Sequence, residues 1–176
     1  MLETHPFGNF VPPHAKFLIL GSFTTKEAYD STKKAAYVWF YSNGGRNQFW
    51  PMLEKIYGSS LRTREQMKRL LTDLKMGIAD IIYQCERVKK SNLDINLINI
   101  TYAMDDIAHV LKTNKINKIF FTSRFVEAKF KTNFKAIISS YPNIELVTLP
   151  SPSPRYVQMT HAQKLKRYKY LLPSKS

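Results

Sequence analysis

Four short, mostly apolar segments constrain the fold of this chain more than any other feature of its sequence. They are KFLIL at residues 16–20, IADII at 78–82, INKIFF at 116–121 and IELVTL at 144–149. Short apolar runs bounded by turn residues are typical of strands that are buried on both faces of a sheet. Because segments with helical spacing separate these runs, the pattern predicts an α/β fold with a parallel sheet and helices on both faces.

Helical spacing is clearest before the second strand and at the end of the chain. Residues 62–76 place their apolar side chains on one face, and Gly77 is predicted to end that helix. Thr160 is predicted to cap the N-terminus of a closing helix. In that closing helix, the side chains expected to face inward are Leu165, Tyr168, Leu171 and Leu172. Further helices are expected at about 103–111 and from Ser123 to about 134, and residues 26–37 are expected to be partly helical. Residues 1–15 are predicted to be extended, and residues 83–90 to form a polar, basic loop.

Length and cysteine content limit the class of protein. A chain of 176 residues is expected to form one domain, residues 1–176, with a substantial core. No apolar run is long enough to span a membrane, and the first residues lack a secretory pattern. Cys85 is the only cysteine, which excludes an internal disulfide and any iron–sulfur or zinc site built on several thiolates.

The net charge indicates a polyanionic partner. Lysine and arginine number 27 against 13 acidic residues, which gives a formal net charge of +14. Such an excess favours nucleic acid first and an anionic membrane second, although a solvated basic surface is the plainer alternative. The basic residues are spread along the chain, so we expect a folded basic face and not a disordered arm.

Polar loops follow all four predicted strands. Their sequences are GSFTT, YQCER, TSR and LPSPSP. Because the carboxyl ends of parallel strands lie along one edge of a sheet, we expect these loops to converge and form a site there.

Familiar catalytic motifs are absent from these loops. There is no dinucleotide fingerprint, phosphate loop or Gly-x-Ser-x-Gly elbow. Asp80 could act as a base or hold neighbouring backbone amides, and Cys85 beside Arg87 could have a lowered pKa or be a small buried apolar residue. The histidines lack metal-ligand spacing and are expected on the surface or on helix faces, at His5, His14, His109 and His161.

The segment YSNGGRNQFW, residues 41–50, joins glycines, an amide and aromatic residues where a loop is predicted to become a helix. Asn47 is expected at or near the helix N-terminus, where backbone amides and the helix dipole favour an anion. The alternative is an ordinary helix cap with apolar residues behind it. Together with the hydroxyls and the proline-serine loop, these groups suit gripping DNA and holding an extruded base.

Five segments in register carry a resemblance to a known family. FLILGS, Tyr41 with RNQFW, GIADIIYQCERVKKSNLD, FFTS and LPSPSP resemble segments of the uracil-DNA glycosylase superfamily. The sequence is most similar to the hypoxanthine-DNA glycosylase-like branch and to the mismatch-specific uracil/thymine glycosylases. The resemblance runs from about Lys16 to His161 and implies a three-layer α/β/α sandwich with a central, mainly parallel four-stranded sheet.

The resemblance also implies roles for particular residues. In that branch the asparagine of the RN-x-FW motif is catalytic, which places the role on Asn47. The enzyme would remove uracil or hypoxanthine from double-stranded DNA with a damaged or mismatched base, as a cytoplasmic, nucleoid-associated monomer with no cofactor and no metal. The implied base-pocket residues are Gly21, Ser22, Phe23, Tyr41, Phe49 and Ser123, and the implied DNA-binding residues are Arg46, Ser151, Pro152, Ser153, Pro154 and Arg155.

Three departures and two rival functions stay open at this point. Phe23-Thr24-Thr25 stands where the branch has Met-Pro-Gly, the loop before Asn47 is longer, and residues 43–45 replace a His-Pro pair.

The LPSPSP segment could be a plain connector instead of a rigid loop that presses on DNA. The rival functions are a catalytically silent nucleic-acid-binding module and a hydrolase of free nucleosides or nucleotides.

Overall fold

The computed structural model describes residues 1–24, 37–42, 46–88 and 93–175. The helical prediction at 26–37 lies outside these residues except at its last position. Thr25 and residues 43–45, two of the departures noted above, also lie outside them.

A five-stranded sheet forms the centre of the fold. Its order is β2-β4-β3-β7-β8, and every neighbouring pair is parallel except β2 with β4. The prediction of a four-stranded sheet was therefore wrong in its count, because β2 has only two residues and too little sequence to show a period. The strands are β2 Asn9–Phe10, β3 Phe17–Gly21, β4 Met76–Asp80, β7 Lys118–Phe121 and β8 Glu145–Thr148.

Helices cover both faces of this sheet. Ile19 of β3 belongs to an apolar cluster with residues of α1, α2 and α6, while Leu18 and Leu20 belong to a cluster with α3 and α4. Alternation of this kind follows from the two-residue period of a strand, so the helices on both faces agree with the sequence pattern. The helices are α1 Phe49–Tyr57, α2 Arg64–Asp73, α3 Met104–Thr113, α4 Arg124–Asn133, α5 Lys135–Ile138 and α6 His161–Leu171.

A second, antiparallel sheet lies outside the predicted pattern. It contains β1 Leu2–Thr4, β5 Ile82–Arg87 and β6 Leu97–Tyr102 in the order β1-β5-β6. The prediction of a loop at 83–90 was wrong at 83–87, since residues 82–87 form a strand whose partners come from distant parts of the chain. Residues 89 and 90 lie outside the described ranges. Ile82 and Cys85 are its only fully buried residues, so no apolar run marked it.

The closing helix begins as predicted, whereas the end of α2 differs. Thr160 Oγ1 accepts the Gln163 N–H at 3.2 Å and Gln163 Oε1 accepts the Thr160 N–H at 2.8 Å, which completes a capping box. Helix α2 ends at Asp73 and Lys75 takes the left-handed conformation, with φ of 53°. Gly77 lies in β4, where a Cβ would come within 3.1 Å of the Leu18 side chain.

No helix in the ranges that the structure describes is long and apolar enough to cross a membrane.

Candidate active site

A cavity of about 440 Å³ opens at the carboxyl edge of the parallel strands. Residues after β3, β7 and β8 line it, so three of the four loops converge as predicted. The YQCER loop does not, because it forms β5; the 3₁₀ turn Asp94–Asn96 takes its place. The lining residues are Ser22, Phe23, Thr24, Tyr41, Ser42, Asn47, Leu93, Asp94, Ile95, Thr122, Ser123, Phe125, Ser151, Pro152, Ser153, Arg155 and Tyr156.

Asn47 combines a structural contact with a position in the cavity wall. Its Oδ1 accepts the backbone N–H of Phe49, the first residue of α1, at 2.9 Å. Because an N–H can only donate, the oxygen must face the helix and the amide NH₂ is left for another partner. Nδ2 has no hydrogen-bond partner among the residues with described positions. Asn47 therefore supports the N-terminus of α1 from the position before its cap residue, Gln48, and also presents an amide NH₂ group at the cavity.

The proline-serine loop is tied to two helices. The Gln48 N–H donates to the Pro152 carbonyl at 2.9 Å, and the Tyr168 hydroxyl donates to the Pro150 carbonyl at 2.8 Å. Lys164, only 2% exposed, donates to the Ser153 carbonyl at 2.8 Å and to Gln48 Oε1 at 3.1 Å. Burial lowers the pKa of the Lys164 ammonium. These hydrogen bonds hold the loop against the start of α1.

The serines of this loop stabilise its own turns. Ser151 Oγ accepts the Ser153 N–H at 3.3 Å, and Ser153 Oγ accepts the Arg155 N–H at 3.2 Å. Such side-chain-to-backbone bonds two residues apart are typical of tight turns. The prolines fix φ between them, so the loop keeps a defined shape at the cavity.

Tyr41 is held in the cavity wall by close contacts behind it. Its ring packs edge-to-face on Phe49 with 4.8 Å between centroids, and its hydroxyl donates to the Ala79 carbonyl at 3.4 Å. A Cβ on Gly21 would lie 2.2 Å from Tyr41 Cε1 and 2.4 Å from Asp80 Oδ1, so only glycine fits there. Burial raises the pKa of the Tyr41 hydroxyl, and the nearby Asp80 raises it further.

Asp80 lies behind this wall and not in the cavity. Its Oδ2 accepts the Thr24 hydroxyl at 2.7 Å and His5 Nε2 at 2.8 Å, while Oδ1 has no partner among the described residues. The Phe7 N–H donates to His5 Nδ1 at 3.3 Å, which assigns the hydrogen to Nε2. Asp80 therefore anchors Thr24 and the N-terminal segment. It holds a hydroxyl and an imidazole, which matches neither of the alternatives from the sequence, a base in the site or a holder of backbone amides.

Two other residues resolve the alternatives left by the sequence. His5 has a side chain only 4% exposed, so its expected surface or helix-face position was wrong. Cys85 is fully buried in β5, and burial raises the pKa of its thiol to about 11 although Arg87 opposes the shift. The thiol is a small buried apolar group and not an activated nucleophile.

Asp94 is the carboxylate that lines the cavity, and the sequence did not single it out. Ser22 Oγ donates to Asp94 Oδ1 at 2.7 Å. Burial raises the pKa of the Asp94 carboxyl, and the nearby Asp80 raises it further. The hydrogen bond from Ser22 and the charge of Arg87 lower it in part. One aspartate in a short 3₁₀ turn has no period and no motif that could have marked it. Its sole sequence signal was its place in the segment that carried the family resemblance.

The predicted site residues fall into three groups. Ser22, Phe23, Tyr41, Asn47, Ser123, Ser151, Pro152, Ser153 and Arg155 all line the cavity. Gly21 and Phe49 are buried behind its wall, whereas Arg46 and Pro154 are exposed outside it. Lining residues that the sequence did not single out are Thr24, Ser42, Leu93, Asp94, Ile95, Thr122, Phe125 and Tyr156.

Three exposed arginines lie on or next to the cavity lining. Arg155 lines it directly, Arg46 precedes Asn47, and Arg124 follows Ser123 at the start of α4. Exposed guanidinium groups on three separate segments of the chain suit contacts with phosphates around an opening of this size.

Comparisons with known proteins give a structural likeness. No family model matches the chain, and no curated protein matches it. Among solved structures, the chain is similar to an NMR structure titled "putative Uracil DNA glycosylase" from Methanosarcina acetivorans, with a TM-score of 0.71 and 18% sequence identity. The match covers 97% of this chain and 96% of that one. The protein therefore shares the fold of that structure over nearly its whole length.

Proposed function

We propose that this protein is a DNA repair glycosylase that flips a deaminated base, uracil or hypoxanthine, out of double-stranded DNA and hydrolyses its N-glycosidic bond. The single observation that carries the proposal is the position of Asn47, whose amide NH₂ lacks a partner among the described residues in a cavity faced by the proline-serine loop. The fold that the chain shares with a protein described as a "putative Uracil DNA glycosylase" also supports this proposal.

The size and lining of the cavity fit one extruded base. About 440 Å³ lies within the range of cavities that hold small ligands. Phe23, Phe125 and Tyr156 provide aromatic faces for stacking, and hydroxyls and amides provide hydrogen bonds to base edges. A flipped base needs both kinds of contact to offset the loss of stacking and pairing in the duplex.

Asn47 would act by position and not as a base. A carboxamide does not accept a proton at neutral pH, so its NH₂ would orient the attacking water or hold the departing base. In the reaction the C1′–N bond breaks, its electron pair leaves with the base, and the water oxygen bonds to C1′ while one of the water protons passes to the departing base. Positive charge develops on the sugar, where DNA phosphates held nearby stabilise it. The mechanism is monofunctional and uses no metal.

The loops around the cavity would hold the DNA backbone. Arg46, Arg124 and Arg155 are exposed and can pair with phosphates. The proline-serine loop, fixed by Gln48, Lys164 and Tyr168, would press on the duplex beside the flipped nucleotide. A loop anchored in this way can bear on DNA without yielding, which a plain connector would not require.

A second candidate is a catalytically silent nucleic-acid-binding module with the same fold. The observation that favours it is the hydrogen bond from the Phe49 N–H to Asn47 Oδ1, which gives Asn47 a purely structural use. The arginines and the cavity would then serve binding alone.

Base release from DNA separates the two candidates. Purified protein is incubated with duplex oligonucleotides that contain uracil, hypoxanthine, xanthine or a G·T mismatch, and abasic sites are revealed by cleavage in alkali. The glycosylase proposal expects strand cleavage with uracil or hypoxanthine and none with undamaged duplex. Tight binding to all duplexes without any abasic product would contradict it and favour the silent module.

A further inference from the structure

The cavity contains an acceptor that the protein uses only in part. Asp94 Oδ1 accepts the Ser22 hydroxyl at 2.7 Å, whereas Oδ2 has no hydrogen-bond partner in the described part of the chain. Asp94 lines the cavity that would receive the base. A carboxylate removed from bulk water and hydrogen-bonded on one oxygen strongly favours a donor at the other.

The same cavity is lined by a buried hydroxyl. Ser42 is 1% exposed, lines the cavity, and its hydroxyl has no hydrogen-bond partner within the described ranges. Leaving a buried hydroxyl unpaired costs free energy, which a ligand carbonyl would recover. Among the residues with described positions, the groups of the cavity without a partner therefore include an acceptor, Asp94 Oδ2, and a hydroxyl that can donate, Ser42 Oγ.

Deamination of a base creates the matching pattern. Cytosine and adenine present an amino group beside a ring nitrogen that accepts a hydrogen bond. When the amino group is replaced by oxygen, the edge becomes a carbonyl beside a ring N–H, as in uracil from cytosine and hypoxanthine from adenine. The Asp94 carboxylate, which only accepts, fits the ring N–H of the deaminated edge and opposes the bare ring nitrogen of the parent edge. The Ser42 hydroxyl can donate to the carbonyl beside that N–H.

We infer that Asp94 and Ser42 determine base specificity: Asp94 Oδ2 accepts the ring N–H of the flipped base, and the Ser42 hydroxyl donates to the adjacent carbonyl. The inference rests on the proposed function and deepens it, because it names the chemical edge that the cavity selects. Asn47 then remains free to act near the glycosidic bond, and the reading of the base is assigned to different residues.

Asp94→Asn is the sharpest test of this assignment. The asparagine oxygen would keep the hydrogen bond from Ser22, which places an NH₂ group where Oδ2 was. The cavity would then present a donor to the ring nitrogen and reject the N–H of uracil. Single-turnover excision from duplexes with uracil, hypoxanthine or cytosine is measured, with Asp73→Asn, an exposed carboxylate outside the cavity, as the matched control.

For Asp94→Asn we expect uracil and hypoxanthine excision to fall by on the order of 10- to 100-fold while the uracil-to-cytosine ratio collapses. Ser42→Ala should lower uracil and hypoxanthine excision by about tenfold and leave the cytosine rate unchanged. An unchanged ratio would overturn the inference. So would an equal loss on every base with a shifted pH profile, which would mean that Asp94 activates water instead.

Binding of free bases tests the inference without any excision. Chemical-shift titrations compare uracil with 3-methyluracil, in which a methyl group replaces the N–H, for the unaltered protein and for Asp94→Asn. We expect saturable binding of uracil that is lost with either change. If the protein releases no base from DNA but shows this pattern, the glycosylase proposal fails and the base-reading pair stands. If excision occurs but both ligands bind alike, the pair is wrong and the glycosylase proposal stands.

Discussion

Gln48 donates its backbone N–H to the carbonyl of Pro152 at 2.9 Å, so the residue next to Asn47 is joined directly to the proline-serine loop. This bond couples the start of α1 with the loop after β8, two segments about a hundred residues apart in the chain. Lys164 bridges the same two segments from α6. The geometry of Asn47 and the shape of the loop therefore depend on each other.

Lys164→Met should loosen this coupling. The substitution removes the hydrogen bonds to Ser153 and Gln48 but keeps an unbranched apolar side chain in the buried space. Burying a charge without a carboxylate partner costs free energy, and its removal offsets part of the loss of these hydrogen bonds, so we expect the melting temperature to change by only a few degrees. Because the loop is less firmly anchored, we expect excision to fall about tenfold or more. Lys166→Met, an exposed residue on the same helix, should change neither quantity. Full activity of Lys164→Met would show that the loop needs no anchor.

Gly21→Ala should damage the cavity wall and the fold together. The new methyl group would overlap Tyr41 and Asp80, both held by their own contacts. We expect a loss of about 1–3 kcal/mol in the free energy of unfolding, measured in urea, and a marked loss of excision. Gly58→Ala is the comparison: a Cβ there meets nothing within 4 Å, so the strain at φ of 60° costs about 1 kcal/mol without affecting activity. Equal activity of the two variants would contradict the packing argument.

The three exposed arginines should each contribute to the salt dependence of DNA binding. Duplex affinity is expected to fall steeply as salt rises, because each neutralised phosphate releases counterions. Replacing Arg46, Arg124 or Arg155 by alanine should reduce the slope of log affinity against log salt by about 1. Lys112→Ala, at the end of α3, is the control for a general loss of charge. A slope that none of the three substitutions changes would place the DNA on another face.

Asp94 should leave a signature in the pH dependence of stability. Burial raises the pKa of its carboxyl in the folded protein, with Ser22 and Arg87 opposing and Asp80 adding. Stability from this group is therefore present below its ordinary pKa and is lost as the pH rises through the raised value. The side chain that replaces the carboxyl in Asp94→Asn does not titrate, so the melting temperature of this variant relative to the unaltered protein should be higher at pH 7 than at pH 4. A difference of the opposite sign would show that the carboxylate is stabilised as an anion.

The strands that are buried on both faces are the parts of the fold that the sequence predicted most directly. Strand β3 reads FLILG and β7 reads KIFF, and these runs leave little choice but an interior strand. Strand β5 reads IYQCER and is half exposed, so its pairing with β1 and β6 depends on distant segments that no local pattern shows. The end of α2 was mispredicted because Lys75 takes the left-handed turn that glycine usually supplies.

The sequence predicted the site residues that lie in loops directly after strands. It did not predict single polar residues whose position depends on partners far away in the chain. Ser22, Ser123 and Ser151 could be placed because the carboxyl ends of parallel strands share one edge. Asp94 reaches the cavity from a 3₁₀ turn beyond β5, and His5 reaches Asp80 across 75 positions in the chain. Contacts between residues so far apart in the chain form only in the assembled fold, and no local sequence pattern indicates them.

The measurement that tests the central claim most directly separates the two uses of Asn47. In Asn47→Ser the short hydroxyl can still accept the Phe49 N–H and cap α1, but the NH₂ group is gone. Single-turnover excision of uracil or hypoxanthine and thermal stability are measured for Asn47→Ser, Asn47→Ala and the distant cap variant Thr63→Ala.

If the amide of Asn47 positions water or the base, Asn47→Ser should lose on the order of a hundredfold in rate while its melting temperature stays close to that of the unaltered protein. Thr63→Ala should show the reverse, with about 1 kcal/mol of stability lost and excision unchanged. An Asn47→Ser protein that excises at the full rate, or an Asn47→Ala protein that is destabilised but active, would contradict the account and leave Asn47 as a helix cap.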